Sequence, residues 1–324
     1  MISGLGNALV DALVRIPDDE VLQRLDLRRG TMHLVDDARW VTALREVEAL
    51  GVEFAPGGSC ANTIVTAAVL GAEADLHANV GPDRFGEIYV EGAASVLGEH
   101  HVRRGDDGPT GKCLSLISEA DAERTMLTDL GCAMELPLAA LSRESLRAAS
   151  IFHCTGYLFT GGPIGAVADE ALAEAAAHDT RVSFDVADPW VIEAHRERLA
   201  PVVHEQAHVV FLNAEEAKLW GGVDDPVAAA EALAQRVPVV ALKLGSKGSL
   251  VLWDGQRHEV QATRVAALDT TGAGDAYAGG FLYGLDRGLA PPRCAEIASR
   301  IAALTVSQVG AVVRDQDLAR TAIG

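Results

Sequence analysis

The stretch Asp269-Thr270-Thr271-Gly272-Ala273-Gly274-Asp275 sets two glycines and an acid directly before the apolar-periodic run Ala276 to Leu285. Gly272 and Gly274 remove side chains where a backbone must approach a ligand closely, and Tyr277, Phe281, Leu282 and Leu285 recur at the spacing of one helical face. A glycine-bearing turn therefore opens a helix. The first amides of a helix lack internal partners and carry the positive end of its dipole, so Gly272, Ala273, Gly274 and Asp275 offer a seat to an anion. A carboxylate beside bound phosphate is repelled unless it has a task, and the natural task for Asp275 is to take the proton from an attacking hydroxyl. The alternative is a tight strand-to-helix turn with Asp275 as a capping residue. Taken alone, the motif supports both readings equally.

The surrounding elements must place this turn at a ligand-binding edge. Residues 2 to 14 read as one strand with Asp11 leaving it at the carboxyl end, followed by a short helix over 18–25, a strand over 31–35 and an amphipathic helix over 38–50. A second glycine turn at Gly57-Gly58 precedes a helix to Leu70, then a strand over 74–80 and a helix over 84–97. Residues 112–118 and 124–127 read as a hairpin closed by Glu119-Ala120-Asp121-Ala122. Strand candidates return at 151–154, 181–186, 209–212 and 237–244, separated by Ala-rich helices. Apolar strands alternating with helices predict an α/β, doubly wound, mainly parallel sheet covered on both faces. The hairpin and the strand near residue 31 fit poorly inside such a sheet. They are assigned to a small β-strand lid, with lid segments at approximately 12–55 and 110–130 of a single domain spanning 1–324.

Further motifs converge on the same edge. Paired Gly57 and Gly58 let backbone amides reach a polyhydroxylated ligand, and Asn62, one turn into its helix, can both donate and accept; the plainer reading is a turn with Ser59 as helix cap. Asp11 is a candidate acceptor for sugar hydroxyls, since ligands of doubly wound sheets bind at the carboxyl ends of strands. Asn213 and Glu216 follow the strand over 209–212; spacing alone favours an N-cap with helix-start acids over a water-mediated Mg²⁺ contact. Lys243, Gly245, Ser246 and Gly248 follow another strand and either touch nucleotide phosphates or make an ordinary turn. Gly4-Leu5-Gly6 has Leu at position 9 and is no dinucleotide fingerprint, Gly111-Lys112-Cys113 is no Walker loop, and Gly57-Gly58-Ser59-Cys60-Ala61 lacks the last glycine of a nucleophile elbow.

Composition sets the bounds. The 324 residues are 49% hydrophobic, ample for a buried core, and 46 acidic against 27 basic residues give a formal charge of -19. That field repels nucleic acid and anionic lipid, and a site for polyanionic ATP must then be made locally positive by Mg²⁺, helix amides and a few placed cations. Five widely spaced cysteines with no Cys-x-x-Cys indicate reduced, packed thiols. With no leader-like N-terminus and no apolar run of membrane-spanning length, the expectation is a cytoplasmic enzyme.

Together these motifs resemble the ribokinase (PfkB) family of ATP-dependent carbohydrate and nucleoside kinases over nearly the whole chain. Gly57 through Gly86, including Asn79-Val80-Gly81-Pro82-Asp83-Arg84-Phe85-Gly86, is similar to one family signature, and Asp269 through Gly280 to the other. Gly4 to Asp11, Gly30 to Val35, Glu123-Arg124-Thr125-Met126 and Gly156-Tyr157-Leu158 most resemble the adenosine-kinase branch. The resemblance implies that Asp275 is the general base, that Gly272 to Asp275 form the anion hole, that Asp11, Gly57, Gly58 and Asn62 hold a ribose with help from Asn7, and that Arg124 is a lid arginine approaching the transferred phosphate. It also implies that Asn213 and Glu216 serve phosphate and Mg²⁺ and that Asp269 and Thr271 flank a monovalent-cation site such as one for K⁺. Ser299 stands where sugar-kinase members often carry Asn, and Cys60 replaces a small residue. The expected activity is ATP-dependent phosphorylation of a primary hydroxyl, the 5′-hydroxyl of adenosine or a related nucleoside, with a sugar kinase as runner-up and a turnover-deficient regulator as a second class. An exposed lid strand is able to pair with that of a second subunit.

Overall fold

A computed structural model describes residues 1–324. The apolar N-terminal run forms two strands rather than one, β1 (Ile2–Leu5) and β2 (Leu9–Ile16), which belong to different sheets. Gly4 and Gly6 bring the chain flush against the helix Ser59–Val69: a Cβ at Gly4 would meet Ile64 at 2.4 Å and one at Gly6 would meet Cys60 at 2.5 Å. The chain crosses between layers at Asn7. Asp11 therefore sits inside β2 on the lid, and the expectation that it leaves the first strand of the large sheet is corrected.

The remaining strands are β3 (Met32–Leu34), β4 (Glu53–Gly57), β5 (Ala74–Val80), β6 (His101–Arg104), β7 (Gly111–Ser118), β8 (Arg124–Asp129), β9 (Ile151–Thr155), β10 (Arg181–Asp185), β11 (Ala207–Asn213), β12 (Val239–Lys243), β13 (Ser249–Trp253) and β14 (Gln256–Val260). The large sheet runs β14-β13-β12-β11-β10-β9-β1-β5-β6. It is parallel from β12 to β6, with β13 and β14 added as an antiparallel hairpin. Along β11, Val210 and Leu212 enter one core with Phe152 and Phe184, while Val209 and Phe211 enter the other with Ile64 and Phe281. A strand alternates faces with period two, so burial of both sets requires helices on each side. Truncating a side chain such as fully buried Phe211 to Ala is expected to cost about 3–5 kcal/mol.

The second sheet runs β3-β8-β7-β2-β4. One face packs Ala12, Val14, Leu114, Leu116 and Leu127 against Trp40, Ala43 and Val47 of the helix Asp37–Val47. Lys112 staples this layer, its buried ammonium 2.7 Å from both Asp37 and Asp129 and 5.2 Å above the Trp40 ring. Asp11 alternates to the opposite face, where it stands beside Cys113 of β7 and Ala55 of β4. β4 carries Pro56, which a strand tolerates because this one lies at the sheet edge. No helix is long and apolar enough to cross a membrane.

Candidate active site

The helix Ala273–Asp286 begins at Gly272, which adopts a left-handed φ of 70°. A Cβ there would lie 2.4 Å from the Ala311 carbonyl oxygen, so both conformation and space demand glycine. No side chain caps this helix, and the amides of Gly274 and Asp275 donate to no backbone carbonyl. Free amides at the positive end of a 14-residue helix are able to seat an anion. The capping alternative for Asp275 is thereby excluded, because its carboxylate turns away from the helix amides to other partners.

Those partners come from the helix Ser59–Val69. Ser59 Oγ donates to Asp275 Oδ1 at 2.7 Å, Asn62 Nδ2 donates to Oδ2 at 3.0 Å, and Thr63 Oγ1 donates to the Asp275 carbonyl at 3.3 Å. Ser59 does not cap its own helix; the N-cap is Gly58, at φ 96° and with no side-chain bond. Burial raises the proton affinity of Asp275, the bonds from Asn62 and Ser59 oppose that, Asp185 adds to it and Lys243 opposes it.

Lys243 supplies the cation. At the end of β12 its ammonium lies 2.7 Å from Asp185 Oδ2 and 3.2 Å from where a Cβ on Gly274 would sit. Burial works against its charge, but Asp185 and Glu216 outweigh burial and push the ammonium up to about 12. The positive charge thus stands against the anion seat. Gly245 and Gly248 shape the turn after β12, and Ser246 is exposed on it without a protein hydrogen bond.

Asn213 and Glu216 close a reciprocal capping box. Glu216 Oε2 accepts from the Asn213 amide at 2.7 Å and Oε1 from Asn213 Nδ2 at 2.6 Å, while Asn213 Oδ1 accepts from the Glu216 amide at 2.9 Å. Burial raises the Glu216 carboxyl, with Lys243 opposing and Asp185 adding. Asp269, fully buried, accepts from the Thr271 amide at 2.8 Å, from Thr271 Oγ1 and from the Gly310 amide at 2.9 Å, and has no cation within 4 Å among protein side chains.

The lid faces this constellation with Asp11. Burial pushes its carboxyl up to about 7, Arg124 on β8 opposes the rise, and Asp275 and Asp269 add to it. Gly57 makes the room: a Cβ there would lie 2.2 Å from Asp11 Oδ2. Gly58 turns the chain where a Cβ would strike the Asn7 carbonyl oxygen at 2.3 Å. Asn7 Nδ2 donates to Met134 Sδ at 3.4 Å, and its buried Oδ1 has no partner, which leaves an acceptor free. A cleft of about 430 Å³ opens between the lid and residues 308–315, lined by Asp11, Leu13, Glu53, Ala55, Gly310 and Arg314. That volume suits a small molecule.

This geometry, with one carboxylate at an anion seat and another on a facing lid, accords with the sequence match. The profile of the pfkB family carbohydrate kinases matches residues 31–317. The chain belongs to that family. It is 27% identical over 333 residues to an adenosine kinase of Dictyostelium discoideum, covering 95% of each protein. Its fold superposes on an adenosine kinase from Sinorhizobium meliloti with TM-score 0.91 at 28% identity, covering 99% of this chain and 98% of the other. A probable sugar kinase from Rhizobium etli CFN 42 gives TM-score 0.90 at 27% identity with the same coverage. The pfkB chain is an ATP-dependent kinase of nucleosides or sugars with its greatest likeness in the adenosine-kinase branch.

Two residues in contact with the candidate site, Asp185 on Lys243 and Ser59 on Asp275, escaped the sequence reading. Asp185 was signalled only by its place at the end of a buried strand, level with Ala241 two strands away and so two residues short of Lys243. Ser59 reads as a cap because Ser commonly is one; its real partner is 216 positions distant.

Proposed function

We propose that this kinase transfers the γ-phosphoryl group of ATP to the 5′-hydroxyl of a nucleoside, adenosine foremost. The observation that carries the reading is Asp275 at the free-amide end of its helix, close enough to the lid's Asp11 for its charge to raise the Asp11 carboxyl. Asp11 and Asn7 hold the sugar, with Gly57 and Gly58 giving it close backbone approach. Asn62 contributes from the helix, and its present bond to Asp275 makes it a bridge between acceptor and base. Asp275 accepts the proton of the attacking hydroxyl. The amides at Gly274 and Asp275, with Lys243 and Arg124, stabilise charge on the transferred phosphoryl oxygens. Lid closure over the cleft excludes water that would hydrolyse ATP.

Glu216 fits Mg²⁺ through water, since both of its oxygens already accept from Asn213. Mg²⁺ carried by the nucleotide would neutralise charge on the β- and γ-phosphates. Asp269, buried without a cationic partner, fits a monovalent cation such as K⁺ beside Thr271. Ser246, Gly245 and Gly248 would border the nucleotide. Ser299, whose Oγ accepts from the Thr263 amide at 3.3 Å and donates to the Gln261 carbonyl at 3.1 Å, fixes the neighbouring segment. The Rhizobium etli likeness favours free sugars as the second reading.

The test is product identity. Incubation with adenosine and Mg-ATP is expected to yield the 5′-monophosphate by ³¹P NMR and mass spectrometry. Phosphorylation at another position, or of ribose and fructose alone, would overturn the nucleoside assignment.

A further inference from the structure

Ser59 occupies an unusual junction. The lid's outer strand β4 ends at Gly57, Gly58 turns the chain in a left-handed conformation, and Ser59 begins the helix that packs against the catalytic turn. Gly58 holds the N-cap position, so the Ser59 hydroxyl at the first helical position is free of a capping role and donates to Asp275 Oδ1 at 2.7 Å. Three side chains on one turn of one helix, Ser59, Asn62 and Thr63, thus fix the base from its carbonyl to both carboxylate oxygens.

We propose that Ser59 is a positioning residue for the proton-accepting carboxylate, fixing the orientation of Asp275 and tying it to the strand that carries the lid. The inference rests on the kinase reading above. Each carboxylate oxygen has two acceptor directions, and Ser59 and Asn62 use one apiece, which leaves the others to the incoming hydroxyl. A hydroxyl bound to an ionised carboxylate makes a strong, charge-assisted bond that favours the charged form. The titratable groups facing Asp275 are Asp185 and Lys243 from the large sheet, Cys60 from the neighbouring helix, Tyr157 beyond β9, and Asp11 from the lid, itself influenced by Arg124. Removing the Ser59 hydroxyl leaves burial and Asp185 less opposed.

Ser59→Ala and Ser59→Thr test this in protein carrying ¹³C-labelled aspartate, with Asp275→Asn assigning the Asp275 resonance apart from that of Asp11. In Ser59→Ala the Asp275 titration is expected to move up by about one pH unit, and Ser59→Thr to return it. The acidic limb of kcat/KM moves the same way, while KM for ATP stays. An Asp275 titration that does not move in folded Ser59→Ala, or a lower kcat without a shifted limb, overturns the proposal. The NMR titration needs no turnover, so an inactive wild-type protein would count against the kinase reading while the Ser59 result is still read.

Discussion

Replacing Gly57 with Ala isolates the fit between lid and acceptor. The added Cβ would lie 2.2 Å from Asp11 Oδ2, 2.6 Å from its Cγ and 3.0 Å from Oδ1. Carbon and oxygen need well over 3 Å, so the carboxylate must retreat by about 1 Å. Gly57 has no positive φ, and the backbone therefore accepts alanine without conformational strain. The perturbation thus falls on Asp11 rather than on the fold. A misplacement of that size costs on the order of 100-fold in rate. The expected result is a fall of about 100-fold in kcat/KM for the acceptor, with KM for ATP unchanged. Steady-state kinetics with acceptor varied at saturating Mg-ATP would measure it, and thermal unfolding would check that Tm is little altered. Unchanged acceptor kinetics in Gly57→Ala would refute the placement of Asp11 against the acceptor.

Lys243→Met is expected to destabilise the protein by about 3–5 kcal/mol, because nearly buried Asp185 keeps a charge without a partner; adding Asp185→Asn should recover much of the loss in a denaturant titration. The Asp11 carboxyl is raised to about 7 in the folded state against 3.8 ordinarily, so the native protein binds more protons between those values and the Asp11 contribution to stability falls as pH climbs through that window. Asp11→Asn should therefore match wild type in stability near pH 4 and become relatively more stable toward pH 7, as read by Tm across a pH series. Acceptor affinity in the wild type should rise as pH climbs through about 7, where Asp11 of the folded protein ionises.

The sequence made the helix side of the site legible because its signals are local. The glycines and acid at 272–275 lie within one turn, and the strand at 74–80 and the helix at 84–97 carry their own boundaries, the latter capped by Asp83 on the Gly86 amide at 2.9 Å. The lid was less legible. A mostly apolar stretch over residues 2–14 conceals the crossover at Gly6 and Asn7, which is set by contact with Cys60 and Ile64. Pro56 hides β4, and only the edge position explains its tolerance. The hairpin of β13 and β14 carried a readable signal, Asp254-Gly255, both residues at positive φ, which is a strong two-residue turn signature. Nothing local links Ser59 to Asp275 or Asp185 to Lys243; such pairs appear only when the fold brings distant segments together.

The most direct test of phosphoryl transfer through Asp275 is ADP release from Mg-ATP, measured for the wild type and Asp275→Asn against adenosine, inosine, guanosine, cytidine, ribose and fructose. Asparagine can keep both neighbours, accepting from Asn62 and donating to Ser59, so the variant should stay folded. The account predicts ADP release that depends on a nucleoside, adenosine above the others, and a loss of about 10²–10⁴-fold in Asp275→Asn. Near-normal turnover by folded Asp275→Asn would contradict it.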